Sequence, residues 1–180
     1  MVFRKKLLCS ALLLALSTVA AAQQQGKVSG DVVRIGVLTD MNGFLSDVTG
    51  TGAVTAVKMA VEDFGGKVLG KPIEVLSADN QNKPDLASSI ARSWFDTQQV
   101  DMIIDLGNSA TGLSAAAVAA DKKRIAIATS PGTTRLTNEN CSATTVHYAY
   151  DTYALAAGTV STLVKQGLDA WYFLTIDFAG

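Results

Sequence analysis

Four polar loops contain the groups of this sequence that could bind a small molecule. Each follows a segment with the composition of a buried strand; they are residues 39–51, 79–83, 107–110 and 129–134. In an open parallel sheet, ligands bind beyond the carboxyl ends of the strands. Unpaired N–H groups at a helix start, together with hydroxyls, suit a carboxylate, although a helix cap or a tight turn also explains any single loop. We predict that the third and fourth loops lie on neighbouring strands and bind one anionic group together.

Groups for catalysis or metal binding are sparse. His147 is the single histidine, and no cluster of side chains has the spacing of a metal site. There is no P-loop, and Gly50-Thr51-Gly52 lacks the third glycine of a dinucleotide-binding loop. Ser109 or Ser130 could serve an exported α/β hydrolase, but neither lies in a G-x-S-x-G elbow. The sequence therefore predicts a binding protein without metal or cofactor rather than an enzyme.

Residues 1–22 have the layout of a secretory signal peptide. Three basic residues at 4–6 precede an apolar run at 7–16, and Ala20 and Ala22 have the spacing that a signal peptidase recognises. The apolar run is shorter than a membrane-spanning helix requires. We expect cleavage after Ala22 and export to the periplasm; an uncleaved membrane anchor is the alternative.

Cleavage would leave 158 residues with a mildly acidic balance of charge. Three of the 15 basic residues lie in the signal peptide, so 12 remain against 16 acidic residues, a net charge of −4. This charge gives no electrostatic basis for binding nucleic acid. Cys141 is the one cysteine outside the signal peptide. In an oxidising compartment it is either a buried free thiol or a residue whose partner lies elsewhere.

Strand-like and helical segments alternate from residue 32 onward. We predict strands at 32–38, 69–78, 102–106, 125–128, 144–148 and 171–176, and helices at 52–64, from Pro84, at 110–120 and at 151–165. This alternation predicts right-handed βαβ units and an α/β fold with a doubly wound parallel sheet. Because the chain stops at Gly180 directly after a strand, we expect a fragment or a truncated reading frame.

Several motifs resemble those of the type I periplasmic binding proteins that serve ABC transporters of branched-chain (hydrophobic) amino acids. The longest is AVEDFGGKVLGKPIEVLSADNQNKPD at 60–85. A narrower subgroup shares DxxG, CSxxTVHxxYDTYALA and WxFLTxD, which occur here at 40–43, 141–156 and 171–177. The resemblance covers the chain from about residue 32 to its end. It implies two α/β lobes around a ligand, here a first lobe at 23–148 and the start of an incomplete second lobe at 149–180.

The resemblance also implies a set of ligand-binding residues. In this family the third and fourth loops bind the ligand's carboxylate, and here they provide Asn108, Ser109, Ala110, Gly132, Thr133 and Thr134. First-loop side chains would line the cleft and influence ligand choice, and an aromatic residue follows the first strand of the second lobe. The matching residues are Phe44, Leu45, Ser46 and Phe178.

By this resemblance, the protein would capture a small carboxylate in the periplasm and deliver it to an ABC permease in the inner membrane. The ligand would be a branched-chain or other apolar amino acid, or an aromatic or short-chain acid. A ligand sensor of the same fold that feeds a regulator is an alternative. Since closure of two lobes provides much of the affinity in such proteins, we expect the 180-residue product alone to bind ligand very weakly.

Overall fold

The computed structural model describes residues 30–174. The predicted signal peptide and Phe178 lie outside this part of the chain. The elements are β1 (Val33–Thr39), α1 (Gly50–Asp63), β2 (Lys67–Val68), β3 (Lys71–Asp79), α2 (Pro84–Asp96), β4 (Met102–Asp105), α3 (Ser109–Asp121), β5 (Ile125–Ala128), a 3₁₀ turn (Thr134–Leu136), β6 (Thr145–His147) and α4 (Thr152–Lys165). None of the helices in the described residues combines the length and apolar character needed to cross a membrane.

The strands form one sheet in the order β2-β3-β1-β4-β5-β6. All neighbours pair in parallel except β2, which is antiparallel to β3. From β1 the chain moves through α1 to β3 on one side, and then through α2 across to β4 on the other side. The strand order therefore reverses between β1 and β4, which makes this pair the topological switch point. The predicted doubly wound α/β sheet is confirmed, with β2 as an added antiparallel edge.

The core lies where α2 and α3 pack against the sheet. Trp94 and Phe95 of α2 are buried, and the six-membered ring of Trp94 lies against Gly36 of β1, where a Cβ would come within 2.4 Å of it. Alanines dominate the buried face of α3, and short side chains let the two helices approach closely. This packing supports the centre of β1, which leads to the sheet edge described below.

Local signals explain where the helices begin. Pro84 is the first residue of α2, a position where its missing N–H costs no hydrogen bond. The side chains of Asn108 and Asp151 cap α3 and α4 by accepting from the N–H groups of Thr111 (3.0 Å) and Ala154 (2.7 Å). Caps of this kind typically stabilise a helix by about 1 kcal/mol.

Two details of the strand and helix predictions need correction. The strand predicted at 69–78 begins at Lys71, because Leu69 and Gly70 have positive φ and turn the chain back from β2, a two-residue strand too short to show periodicity. For α2, the helical spacing of apolar residues predicts that Leu86, Ile90 and Trp94 form the buried face; Trp94 is buried, but Leu86 and Ile90 are only half-buried. The buried residues of α2 are Ala87, Ala91, Trp94 and Phe95.

The strand predicted at 171–176 is wrong over its described part. Residues 171–174 have no regular structure, and Tyr172 and Leu174 are more than nine-tenths exposed. A strand requires a hydrogen-bonded neighbour, and within residues 30–174 no strand lies beside this segment. Cys141 is also exposed, in the segment between the 3₁₀ turn and β6, so it is not the buried thiol considered above.

Candidate functional site

The parallel strands bring the predicted loops to one edge of the sheet. β1 ends at Thr39, β4 at Asp105 and β5 at Ala128, and the three strands are neighbours. The third and fourth loops thus follow neighbouring strands, as predicted. The N–H of Thr129 also donates to the carbonyl of Asp105 (3.3 Å), which ties the start of the fourth loop to the end of β4.

A cavity of about 360 Å³ opens at this edge, at the switch point between β1 and β4. We call it the switch-point cavity. Its lining comes from the segment that enters α1, the first turns of α1, the end of β4, the loop after β5 and the segment after β6: Asp47, Val48, Thr49, Gly52, Ala53, Ala56, Asp105, Thr129, Ser130 and Tyr150. Open α/β sheets bind ligands at such a crevice, and this volume suits a small organic molecule.

Asp105 is the buried charged group of the cavity, with 3% of its surface exposed. One carboxylate oxygen accepts a hydrogen bond from the Thr49 hydroxyl, and the other accepts from the Thr129 hydroxyl at 3.2 Å. The Thr39 hydroxyl lies 2.6 Å from that of Thr49 and accepts from the N–H of Gly50 at 2.9 Å. Because a carboxylate can only accept, Thr49 donates to Asp105 and Thr39 donates to Thr49.

An unusual turn follows β4. Asp105, Leu106 and Gly107 all have positive φ, between 67° and 79°. For residues other than glycine this conformation costs of the order of 1–3 kcal/mol. The turn is held by burial of Leu106 and by its N–H, which donates to the carbonyl of Leu38 at 2.8 Å. At Gly107 a Cβ would lie 2.7 Å from the amide nitrogen of Asn80, so the turn has no room for a larger residue.

The third loop contains three of the predicted ligand-binding residues. Asn108 caps α3 through its side-chain oxygen, and its amide donates to the side-chain oxygen of Asn82 (2.9 Å), so both ends are engaged within the fold. Ser109 is 1% exposed and Ala110 is half-buried. The Ser109 Oγ and the Asn80 Nδ2 are buried atoms without a hydrogen-bond partner in the described part of the chain.

The fourth loop packs against α3. The ring of Pro131 lies so close to Gly112 that a Cβ there would come within 2.5 Å of it, and His147 Nε2 is 2.6 Å from the Pro131 carbonyl oxygen. The three predicted residues follow this anchor. Gly132 accepts from the N–H of Thr152 at 2.8 Å, the buried hydroxyl of Thr133 accepts from the N–H of Arg135 at 3.3 Å, and Thr134 is half-buried.

The first loop contains three further residues predicted to contact the ligand. Phe44 is 75% exposed, whereas Leu45 and Ser46 are half-buried. The N–H of Leu45 donates to Asp40 at 3.0 Å, and the Ser46 hydroxyl donates to the Gly43 carbonyl at 2.7 Å. These bonds shape the loop itself.

None of the nine predicted site residues within the described chain lines the switch-point cavity. Their near neighbours do: Asp47 directly follows Ser46, Asp105 precedes Asn108 by three residues, and Ser130 precedes Gly132 by two. One signal in the sequence points to Asp105, because a charged residue at the end of an apolar strand has to be paired or functional. No group of three or more His, Cys, Asp and Glu side chains among residues 30–174 could hold a metal ion.

A second polar region lies beside the cavity, at the ends of β1 and β3. Asp40 is fully buried and accepts from the N–H of Gly43 (2.8 Å), from that of Leu45 and from the amide of Asn82. Partial burial opposes ionisation of Asp79, but hydrogen bonds from the Asn42 amide and from the N–H groups of Gln81 and Met41 hold its pKa below the ordinary value. We call the two carboxylates, Asp40 and Asp79, together with the N–H and side-chain amide groups that donate to them, the amide cluster.

Comparisons with known proteins agree with this architecture. A sequence profile described as periplasmic binding protein matches residues 32–180. A crystal structure of a periplasmic binding protein from Burkholderia mallei is 55% identical, with a TM-score of 0.79 over 83% of this chain and 40% of that one. A branched-chain amino acid ABC transporter periplasmic ligand-binding protein from Burkholderia xenovorans is 39% identical, with a TM-score of 0.71 over 75% of this chain and 36% of that one. A search of curated proteins gave no match.

A further solved structure is similar, the solute-binding protein of an ABC transporter from Rhodopseudomonas palustris in complex with 3,4-dihydroxybenzoic acid. It is 25% identical, with a TM-score of 0.70 over 77% of this chain and 37% of that one. The chain therefore spans about two fifths of the length of these solved proteins. The profile match over most of the chain and the 55% identity establish its membership: the chain belongs to the periplasmic binding protein family, among the type I proteins of the leucine and branched-chain amino-acid ABC transporters.

Proposed function

We propose that this chain is part of the substrate-binding component of an ABC transporter, which captures a small organic carboxylate in the periplasm and presents it to a permease in the inner membrane. The family consists of periplasmic substrate-binding proteins rather than enzymes. The observation that carries the proposal is the switch-point cavity, since its position is the one at which doubly wound sheets bind ligands.

The start of α3 supports a carboxylate as the ligand's anionic group. The N-terminus of this 13-residue helix offers N–H groups and a partial positive charge, and the adjacent Ser109 hydroxyl is buried and has no partner among the described residues. A carboxylate oxygen would satisfy that hydroxyl. Because Ser109 is enclosed in this conformation, the proposal requires the third and fourth loops to separate when ligand enters.

Two kinds of ligand fit this chemistry. Relatives include a branched-chain amino acid ligand-binding protein and a solute-binding protein in complex with 3,4-dihydroxybenzoic acid, so apolar amino acids and aromatic acids are both candidates. Each is a small apolar body with one carboxylate. The cavity is large enough for either class.

Filling the cavity tests the proposal. Ala56 is exposed and lines the cavity, so Ala56→Trp should place an indole in the ligand's space without disturbing the core. We expect affinity for the best ligand of a panel of apolar amino acids and benzoic acids to fall at least about tenfold. Ligand-observed NMR titration of the full-length protein would measure it.

Ala117→Trp is the matched control, because Ala117 is an exposed alanine on α3 that does not line the cavity. Its affinity should equal that of the unsubstituted protein. Equal affinity in both tryptophan variants would show that ligand binds elsewhere, and no binding by the unsubstituted protein to any member of the panel would contradict the proposed function.

A further inference from the structure

We propose that Asp105 determines specificity in the switch-point cavity by selecting ligands that carry a hydrogen-bond donor in addition to their carboxylate. The inference rests on the proposed function, because it concerns the same cavity. The donor is an ammonium or a hydroxyl group, and Asp105 accepts from it.

Asp105 keeps unused capacity to accept. Each of its two oxygens receives one side-chain hydrogen bond, from Thr49 or from Thr129. A carboxylate has about four lone-pair positions, so about two remain. Asp105 is 3% exposed, so water has little access to its carboxylate. Because Asp105 lines the cavity, a ligand's donor group would approach the carboxylate from the cavity.

The neighbours of Asp105 cannot act as donors toward a ligand. The Thr49 and Thr129 hydroxyls have each committed their single proton to the carboxylate. The Thr39 hydroxyl accepts from the N–H of Gly50 at the N-terminus of α1 and donates to the Thr49 hydroxyl, so its proton is also committed toward Asp105. This wall of the cavity therefore presents acceptors, and the groups that can donate lie elsewhere in the lining.

A wall that presents only acceptors favours ligands that can donate a hydrogen bond to it, because other ligands leave the Asp105 lone pairs without a partner. A ligand carboxylate or an apolar edge placed beside Asp105 would bury the carboxylate's free lone pairs without a partner, which is unfavourable, and a second negative charge would repel it. An ammonium or hydroxyl group would form a charge-assisted hydrogen bond there. The ligand's carboxylate must then lie away from Asp105, which agrees with its proposed place at the start of α3.

Two matched pairs of probes test the inference. Benzoate and 4-hydroxybenzoate differ by one hydroxyl, and 4-methylpentanoate and leucine differ by one ammonium. In the full-length protein, we expect the donor-bearing member of at least one pair to bind about tenfold more tightly than its partner, as measured by ligand-observed NMR titration. The pair that shows the preference identifies the donor as hydroxyl or ammonium.

Variants of the wall separate specificity from a structural role. Asp105→Asn replaces a carboxylate oxygen with a donating amide, and we expect the preference within that pair to fall below about threefold. Thr129→Val removes one internal donor at an exposed position and leaves Asp105 with more free capacity, so the preference should persist or increase. A purely structural role would weaken both members of a pair equally and leave their ratio unchanged.

The outcomes distinguish this inference from the proposed function. If the probes bind but neither pair shows a preference, or if Asp105→Asn retains the preference, the inference is overturned while ligand binding stands. If Asp105→Asn does not fold, Thr129→Val provides the test: loss of the preference for the donor-bearing probe in that variant would also overturn the inference. Absence of binding by all four probes would contradict both.

Discussion

Two neighbouring parts of one sheet edge use aspartate in different ways. In the amide cluster, Asp40 follows β1 and Asp79 is the last residue of β3. Backbone N–H groups and Asn side chains donate to both carboxylates. In the switch-point cavity, Asp105 ends β4 and receives bonds from two threonine hydroxyls. The residue type and the position at a strand end are similar, but the donors differ.

The kind of donor indicates what each carboxylate does. Backbone N–H groups are fixed by the chain, so the two N–H bonds to Asp40, from Gly43 and Leu45, hold the first loop in one shape, and the Asn82 amide adds a third bond. A Cβ at Gly43 would lie 2.5 Å from the Asp40 carboxylate. Hydroxyls can rotate, and Asp105 lies beside open space. The amide cluster therefore holds the first loop in place, whereas Asp105 borders the cavity in which we propose that ligand binds.

Removing the Asp40 carboxylate should give the largest effect on stability. Asp40→Ala leaves the N–H groups of Gly43 and Leu45 and the amide of Asn82 without their acceptor in a fully buried place. We expect the free energy of unfolding to fall by about 3 kcal/mol, measured by urea denaturation. Asp47→Ala, an exposed aspartate in the same loop, should change it by less than about 0.5 kcal/mol. A loss below about 1 kcal/mol for Asp40→Ala would contradict the structural role of the amide cluster.

The same contrast occurs between two adjacent residues at the start of α3. Asn108 is engaged at both ends of its amide, whereas the Ser109 hydroxyl has no partner among the described residues. We therefore predict that Ser109→Ala leaves stability unchanged but weakens carboxylate binding by about 1–3 kcal/mol, and that Thr134→Ala does the same in the fourth loop. Calorimetric titration and thermal unfolding of the full-length protein would measure the two quantities.

Ser89→Ala serves as the control for these two variants, since Ser89 is an exposed serine on α2. It should change neither affinity nor stability. Unchanged affinity in both Ser109→Ala and Thr134→Ala would refute the assignment of the carboxylate to the third and fourth loops, and it would leave the cavity itself to be tested by Ala56→Trp.

Most of the fold could be predicted from the sequence, because most of the buried strands are short apolar runs and α2, α3 and α4 each begin at a proline or a capping side chain. β5 lies at the predicted residues, and β1 and β4 lie within one residue of them. β2 was missed because two residues show no period. The segment at 171–174 has the composition of a strand but, in the described chain, no neighbour to pair with, and pairing is not a property of the segment alone.

The site was harder to predict than the fold. The alternation of strands and helices limits the possible strand orders, and the strand order determines which loops lie next to each other at the carboxyl edge of the sheet. Which side chains line a cavity depends instead on φ at single residues and on loop packing. Asp105 lines the cavity; in the sequence it ends an apolar strand and precedes the three third-loop residues that we predicted to bind ligand. The positive φ values from Asp105 to Gly107 have no signal in the sequence other than the glycine. Tyr150 reaches the cavity from beyond β6, a contact set by tertiary structure.

The smallest expected effect concerns Asp79 and low pH. Hydrogen bonds hold its pKa in the folded protein below the ordinary value of 3.8, so the folded state favours the ionised form. The resulting stabilisation is fully present above pH 3.8 and is lost as the pH falls through the lower, folded-state pKa. Solvent screens this partly exposed group, so the contribution is modest.

Asp79→Asn should remove this contribution, since an amide does not titrate. Urea denaturation from pH 6 down to about pH 3 would then show a stability gap between the two proteins that narrows below pH 3.8. Asn42→Ala, which removes one donor to Asp79, should reproduce part of the gap with the same pH dependence. A gap that stays constant with pH would mean that Asp79 acts by packing rather than as a hydrogen-bonded carboxylate, and the contrast between the amide cluster and the cavity would then rest on Asp40 alone.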